Sequence, residues 1–290
     1  SLINDGIISK AKDGIVVIAT GKLDKKLTVK ANVFSKTAKE KIEKLDASLD
    51  ESFGKIKNIG YDVVQLSSTC PFEPEWMRDT LAKHDLKCVL THTDLDELLD
   101  NPVKVVKDHK IFGCDYIGIG AMPNDMRETM EGYERFRDAF VPVAKVLRDN
   151  GAKFMYHNHW FEFTKLEGKH VFERMLEDFP EDSLEFILDV AWADYAGEDM
   201  EKLIAMLKGR LSRIHLKDYR PLVPEDGETT LPVRLCPIYE GQIDFDKIIA
   251  LYDAGTEYAL VEQDLCFGED EFECLKRSYN NVLARFPEMK

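Results

Sequence analysis

The sequence predicts a single domain over residues 1–290, folded as a (β/α)8 barrel of the TIM type, on three observations. Short apolar runs alternate with stretches of helical periodicity along the chain. Eight such runs can be counted, the number a closed barrel needs. Several are apolar on both faces, as parallel strands covered by helices must be. The alternative is an open doubly wound sheet. A dinucleotide-binding sheet of that kind would carry a Gly-rich turn after its first strand, and "FSKTAKE" (34–40) is not one.

The runs, in order, are "LTVKANVF" (27–34), "YDVVQLSS" (61–68), "LKCVLTHT" (86–93), "DYIGIGAM" (115–122), "KFMYHNHW" (153–160), "LEFILDVAW" (184–192), "SRIHLKD" (212–218) and "YALVEQD" (258–264). Helical spacing separates most of them. "DASLDESFGKIKNIG" (46–60) starts on Asp and stops at Gly, the usual punctuation of a helix. "EPEWMRDTLAKHD", "NPVKVVKDHKIFG", "DMRETMEGYERFRDAFVPVAKVLRDNG", "DMEKLIAMLKG", "IDFDKIIALYDAG" and "EDEFECLKRSYNNVLARF" follow the same pattern. Residues 1–26 stand outside the count, as an N-terminal extension or a hairpin sealing the barrel floor. The Pro-rich stretch 219–242 follows the seventh strand and reads as a long loop lying over the active face as a lid.

Composition narrows the function. Hydrophobic residues make up 44% of the chain, ample for one large core. The net charge is −15, which disfavours nucleic acid and anionic membranes, because both demand clustered Lys and Arg. No run approaches the roughly 18 apolar residues of a membrane helix. The N-terminus lacks a secretory signal's basic start and apolar run. The six cysteines (70, 88, 114, 236, 266, 274) form no CxxC and are too sparse for a disulfide scaffold. They read as mostly buried, reduced thiols, and the expected location is cytoplasmic.

Catalytic groups of such a barrel sit at the C-terminal ends of its strands. Here those ends carry His92, then His157, His159 and Glu162, then Asp189 and Trp192, then His215, Lys217 and Asp218, then Glu262 and Asp264. His84, His109 and His170 lie in helices or loops and read as solvent-facing. Each strand-end residue also has a plainer reading. Asp218 and Asp264 fit helix caps. His215 alone, among aliphatics, would be a satisfied core histidine. Asp189 differs, because "FIL" precedes it and "VAW" follows. A carboxylate so placed must be paired or bound to metal to offset its desolvation. Glu262, after "ALV", repeats the argument. Glu162, Asp189, His215 and Glu262 come from four consecutive strands. Carboxylates with an imidazole suit one divalent ion: Mn, Mg, Co or Zn.

With "YHNHWFEF" (156–163), "LDVAWADYAG" (188–197), "RIHLKDYR" (213–220), "EGQIDF" (240–245), "VEQD" (261–264) and "NIGYDVVQLS" (58–67), the chain resembles the xylose-isomerase-like barrels of sugar phosphate isomerases and epimerases, inosose-dehydratase-like members included. The resemblance runs from about residue 27 to the end. It implies a metal held by Glu162, Asp189, His215 and Glu262, with the two glutamates also moving protons. It places His157, His159 and Lys217 around a carbohydrate; His92, at the end of the third strand, and Trp192, whose indole can stack on a sugar face, are read as further substrate-binding residues. Two positions depart from the pattern. Many epimerases of this superfamily have their first metal glutamate where this chain has Met155. The strand-five ligand is then Glu162, the preferred choice, or His157, which shares Met155's parity. Trp192 stands where those epimerases have a histidine.

The function expected is a divalent-metal-dependent sugar isomerase or epimerase acting through an enediolate. The alternative is a keto-sugar or keto-inositol dehydratase, or a 3-keto-glycoside lyase, on the same barrel. A non-catalytic sugar-binding barrel ranks lower, and an endonuclease IV-like enzyme is disfavoured by the charge. "EQDLCFGED" (262–270) is acidic where a phosphate would sit, which favours an unphosphorylated substrate. The partner expected is a small carbohydrate, with no nucleic acid or membrane and with homo-oligomers open.

Overall fold

The computed structural model describes residues 16–17, 33–34, 36–67, 69–221, 233–250 and 255–288. Its centre is a sheet of seven strands, all parallel: Val63–Ser67, Lys87–His92, Tyr116–Ile119, Lys153–His157, Leu184–Asp189, Arg213–Leu216 and Tyr258–Val261. Each strand pairs with the next in sequence, as right-handed βα units stacked side by side require. Helices cover the outside, and the sheet curls into a nearly closed barrel.

Period-two alternation sorts the side chains. On Lys153–His157, Phe154 and Tyr156 face outward into an aromatic layer. Phe154 stacks on Phe140 at 5.7 Å, and Tyr156 meets Phe136 edge-on at 5.8 Å. Met155 faces inward and packs with Val89, Leu90, Ile187 and Leu260 to fill the barrel. Below that layer the buried Arg213 guanidinium lies 3.4 Å over the Tyr116 ring and donates to the Val89 carbonyl and to Glu257. Above it the same inward parity brings up His157, Asp189 and His215. The floor is therefore a satisfied ion pair, and the mouth holds the chemistry.

Three expectations change. The first strand candidate, 27–34, lies mostly outside the described residues. Its last two, Val33–Phe34, pair with Val16–Val17 in a separate small sheet. Among the described residues the edge strands Val63–Ser67 and Tyr258–Val261 each have one neighbour. Between them is a cavity of about 350 Å3, walled by Phe53, Val64, Leu66, Ala259 and Val261 and reaching His215 and Glu262. Next, the helix expected from Asp46 begins at Lys36 and runs to Ile59. Lastly, 219–242 is not a plain loop. Asp218–Pro221 and Val233–Cys236 form an antiparallel ribbon, and 222–232 fall outside the described residues.

His109 is buried rather than solvent-facing. Its Nδ1 donates to the Val105 carbonyl at 2.8 Å, and Nε2 then accepts from Thr91 Oγ1 at 2.9 Å. Asp218 is buried too, but caps no helix. It accepts from the Tyr219, Gly241 and Ile243 N–H groups and so pins the 241–243 turn to the ribbon.

Interior strands are paired on both sides and edge strands on one, so their amides should differ in protection. Hydrogen exchange is expected to be slowest in Lys153–His157 and Leu184–Asp189 and faster in Val63–Ser67 and Tyr258–Val261. Equal protection would mean that a further strand closes the seam.

Candidate metal centre

The strand ends bring four side chains together. One donor atom from each of His157, Asp189, His215 and Glu262 lies within 4.8 Å of the others. His157, Asp189 and His215 are buried. Glu262, just past its strand, keeps some exposure. His215 Nδ1 is 2.8 Å from Glu262 Oε2, and His157 Nε2 is 3.2 Å from Asp189 Oδ2.

Both imidazoles are oriented from behind. His215 Nε2 lies 2.7 Å from Gln65 Oε1, an acceptor only, so Nε2 carries the hydrogen and Nδ1 presents its lone pair to the cluster. His157 Nδ1 lies 3.0 Å from the Gly120 carbonyl, which likewise places the hydrogen there and turns Nε2 inward. This is the outer support that metal-ligating histidines use. His215 Nδ1 and Glu262 Oε2 face one another, yet neither completes a hydrogen bond of proper alignment with any described group. Two imidazole nitrogens and two carboxylate oxygens, with the buried His215 Nδ1 lone pair facing a carboxylate rather than a donor, fit a divalent first-row ion such as Mn, Co or Zn.

Lys217 is buried and closes the set. Its Nζ lies 2.9 Å from Asp189 Oδ2, 2.9 Å from Glu262 Oε2 and 3.0 Å from Asp264 Oδ2. Asp264 thus belongs to this network; the helix that follows, Glu271–Arg285, is capped by Asp270. Burial works to raise the Asp189 carboxyl, but the Lys217 ammonium and His157 outweigh it and bring it down to about 2. Glu262 is likewise held well below the usual carboxylate range, because His215 and Lys217 overcome its burial. Burial acts to lower Lys217, and its three carboxylates overcome that and raise it, so the ammonium stays charged. The cluster therefore offers two ionised carboxylates at neutral pH.

Asp189 has two jobs. Its Oδ1 accepts from the Ala191 and Trp192 N–H groups at 3.0 and 3.1 Å and starts the helix Val190–Tyr195, while Oδ2 faces the cluster. Asn158 clamps the same strand end, accepting from the Asp189 N–H at 2.9 Å. Sequence reasoning missed both Asn158 and Gln65. The first lies inside "HNH" and the second inside "VVQLS", and nothing in either stretch marks them as supports.

Glu162 does not join the donors. It follows the strand in a short 3-10 turn, is wholly buried, and its carboxylate points outward through the wall. Tyr156 Oη donates to Oε1 at 2.5 Å and the His159 N–H to Oε2 at 2.7 Å. Tyr156 faces outward by strand parity, so Glu162 is drawn to that side. Desolvation raises its carboxyl to about 7 despite those two bonds. In the geometry it is His157 that occupies the strand-five corner of the cluster.

The remaining expected residues line the mouth. His92 stacks on His157 at 5.4 Å and hydrogen-bonds Gln65 and Ser67; burial, with the neighbouring histidines, lowers it well below its ordinary value. His159 and Trp192 stack 6.1 Å apart, and burial lowers His159 to about 3. Both are neutral at pH 7.

Two substitutions separate the roles. Asp189→Asn is expected to lose stoichiometric Mn²⁺ uptake. Glu162→Gln is expected to keep it, while lowering stability by about 1–3 kcal/mol, because the amide has one acceptor oxygen where the carboxylate has two, so either the Tyr156 O–H or the His159 N–H loses its partner. A manganese titration and a thermal melt of each variant decide; loss of the ion in Glu162→Gln would return Glu162 to the ligand set.

Comparison with solved structures finds the same fold in other proteins. A sugar phosphate isomerase/epimerase from Parabacteroides distasonis superimposes over 83% of this chain and 93% of its own, at a TM-score of 0.67 and 19% identity. The probable 3-DHS dehydratase AsbF of Bacillus anthracis covers 81% and 93%, at 0.61 and 14%. An AP endonuclease, family 2, from Brucella melitensis covers 78% and 90%, at 0.57 and 16%. At these identities the likeness is one of fold. Residues 1–49 match a separate family model, that of ribosomal proteins 50S-L15, 50S-L18e and 60S-L27A. The junction of the two matches falls inside the helix Lys36–Ile59. Residues 53–259 match another family model, and on that match the chain belongs to the xylose isomerase-like TIM barrel family.

Proposed function

We propose that this chain is a divalent-metal-dependent isomerase or epimerase of an unphosphorylated sugar, with the ion held by His157, Asp189, His215 and Glu262. One observation carries the reading: four donor atoms within 4.8 Å of one another, both imidazoles turned inward by acceptors behind them. The bound ion would polarise a substrate carbonyl and lower the cost of an enediolate. The protein's own groups then supply the rest. Glu262, ionised and partly open to the mouth, takes the proton next to the carbonyl. Lys217, held between Asp189 and Glu262, donates to a substrate oxygen that gains charge. His92 and His159, neutral at pH 7, orient hydroxyl groups. Glu162 takes no part in proton transfer in this scheme; it fixes the His159 backbone.

A second reading, elimination by a dehydratase or glycoside lyase, uses the same set up to proton removal. It is supported by the likeness in fold to the probable 3-DHS dehydratase AsbF, and the departing hydroxyl would take its proton from the Lys217 ammonium, because His92 and His159 are held neutral. All of the site residues lie at or beyond Gln65, so both readings assign the activity to the barrel alone. The expected cell compartment is the cytoplasm, and homo-oligomers are compatible with the site.

The test is proton exchange in D2O on a panel of neutral keto-sugars with Mn²⁺ present. Substrate deuteration is expected in the wild type and is expected to fall by about 10²–10⁴-fold in Glu262→Gln, the usual contribution of a positioned base. An unchanged rate in Glu262→Gln would remove the proton-transfer role. Gln65→Met is expected to weaken Mn²⁺ binding by about 10–100-fold, since it removes the partner that fixes the His215 tautomer. An unaltered affinity would show that the support is dispensable.

A further inference from the structure

Beside the cluster, three aromatic rings meet in a corner. Trp192 is almost fully buried and forms the floor. Trp160 and Tyr195 are 37% and 39% exposed, among the most exposed large apolar side chains described. The Trp160 ring lies 4.9 Å from Trp192 at 61°, Tyr195 lies 6.2 Å from Trp192 at 86°, and Trp160 and Tyr195 are 6.2 Å apart at 82°. The three planes are thus steeply inclined to one another, with Trp160 and Tyr195 each partly open to solvent.

The floor is fixed from both sides. Arg127 lies 3.9 Å over Phe161, Phe161 stacks on His159 at 5.0 Å and 10°, and His159 stacks on Trp192. On the other side Lys217 Nζ lies 5.2 Å from the Trp192 ring centroid. The same Nζ touches Asp189 and Glu262, so one side chain separates the corner from the proposed reacting centre. Exposed tryptophan and tyrosine cost solubility and mark binding surfaces when they cluster. Two buried polar atoms here also lack a partner among the described residues, Trp192 Nε1 and His159 Nδ1. A buried donor and a buried acceptor beside apolar ring faces suit a ligand that presents C–H faces ringed by hydroxyls.

Charge argues against an anion. Of the two cations that touch the stack, Lys217 is committed to three carboxylates, and Arg127 lies on the outer face of Phe161, with Phe161 and His159 between it and Trp192. Carboxylates flank the far side: Asp194 accepts from Tyr219 Oη at 2.6 Å, and Tyr219 meets Tyr195 edge-on at 6.4 Å. A phosphate against Trp192 would face Asp194 with Lys217 already held by its own carboxylates.

We propose that the Trp160–Trp192–Tyr195 corner seats the second ring of a neutral disaccharide whose first ring lies over the His157–Asp189–His215–Glu262 cluster. The inference rests on the reading of that cluster as a sugar site and specifies its substrate class. It also gives Trp192 a positive role at the place where the epimerases this chain resembles have a histidine.

The test is calorimetric titration of the Mn²⁺-loaded protein with glucose, glucose 6-phosphate, cellobiose, maltose and trehalose. At least one disaccharide is expected to bind about tenfold more tightly than glucose, and Trp160→Ala is expected to erase that advantage while leaving glucose binding unchanged. Tyr195→Ala should act in the same direction and serves where Trp160→Ala fails to fold. The inference is overturned if no disaccharide exceeds glucose, if glucose 6-phosphate binds best, or if both variants weaken glucose and disaccharide alike. Manganese uptake, read in the same samples, reports on the cluster independently: uptake without disaccharide preference sinks the corner alone, and disaccharide preference without uptake sinks the metal reading alone.

Discussion

The site depends on two hydrogen bonds that no ligand touches, from His215 Nε2 to Gln65 Oε1 and from His157 Nδ1 to the Gly120 carbonyl. Each acceptor lacks a hydrogen of its own, so each fixes a tautomer and aims one lone pair at the centre. Reverse either bond and the cluster would face inward with an N–H, which can donate to a carboxylate but cannot bind an ion. The bonds in turn need the barrel. Gln65 reaches His215 from the far edge of the sheet, and Gly120 directly follows Tyr116–Ile119, the strand beside that of His157. Curling seven parallel strands brings these partners within reach, though 150 residues separate Gln65 from His215.

Electrostatics then divides the carboxylates by environment rather than by type. Asp189 and Glu262 share the Lys217 ammonium and stay ionised despite burial. Glu162 is as buried but meets only a phenol and a backbone N–H, and its carboxyl rises to about 7. Groups split in this way take different work. The ionised pair suits cation binding and proton abstraction. The raised carboxyl suits holding a turn, and the turn it holds carries His159 and Trp160 to the edge of the mouth.

Much of this was legible in the sequence. Asp189 inside "FILDVAW" could only be paired or bound, and the structure gives it a lysine, a histidine and a helix start. The alternation of apolar runs located seven strands, because burial on both faces leaves a period that survives without neighbours. The stretch 27–34 alternates and precedes a helix, as a barrel's first βα unit would; its last two residues pair outside the seven-stranded sheet, and the rest lies outside the described residues. Glu162 stands away from its expected place for a local reason. Its spacing from His159 placed it at the strand end, but Tyr156 faces outward there and draws the carboxylate with it. Gln65 and Asn158 gave no signal, because an amide that supports a ligand looks in sequence like any polar residue on a strand.

The claim that carries the account is that two histidines and two carboxylates surround one divalent ion. X-ray absorption at the metal edge of the Co²⁺- or Mn²⁺-loaded protein counts imidazoles directly, through their outer-ring scattering. Two imidazoles per ion are predicted, falling to one in His157→Ala. A single imidazole in the wild type would contradict the account and put a carboxylate, with Glu162 the first candidate, in His157's place.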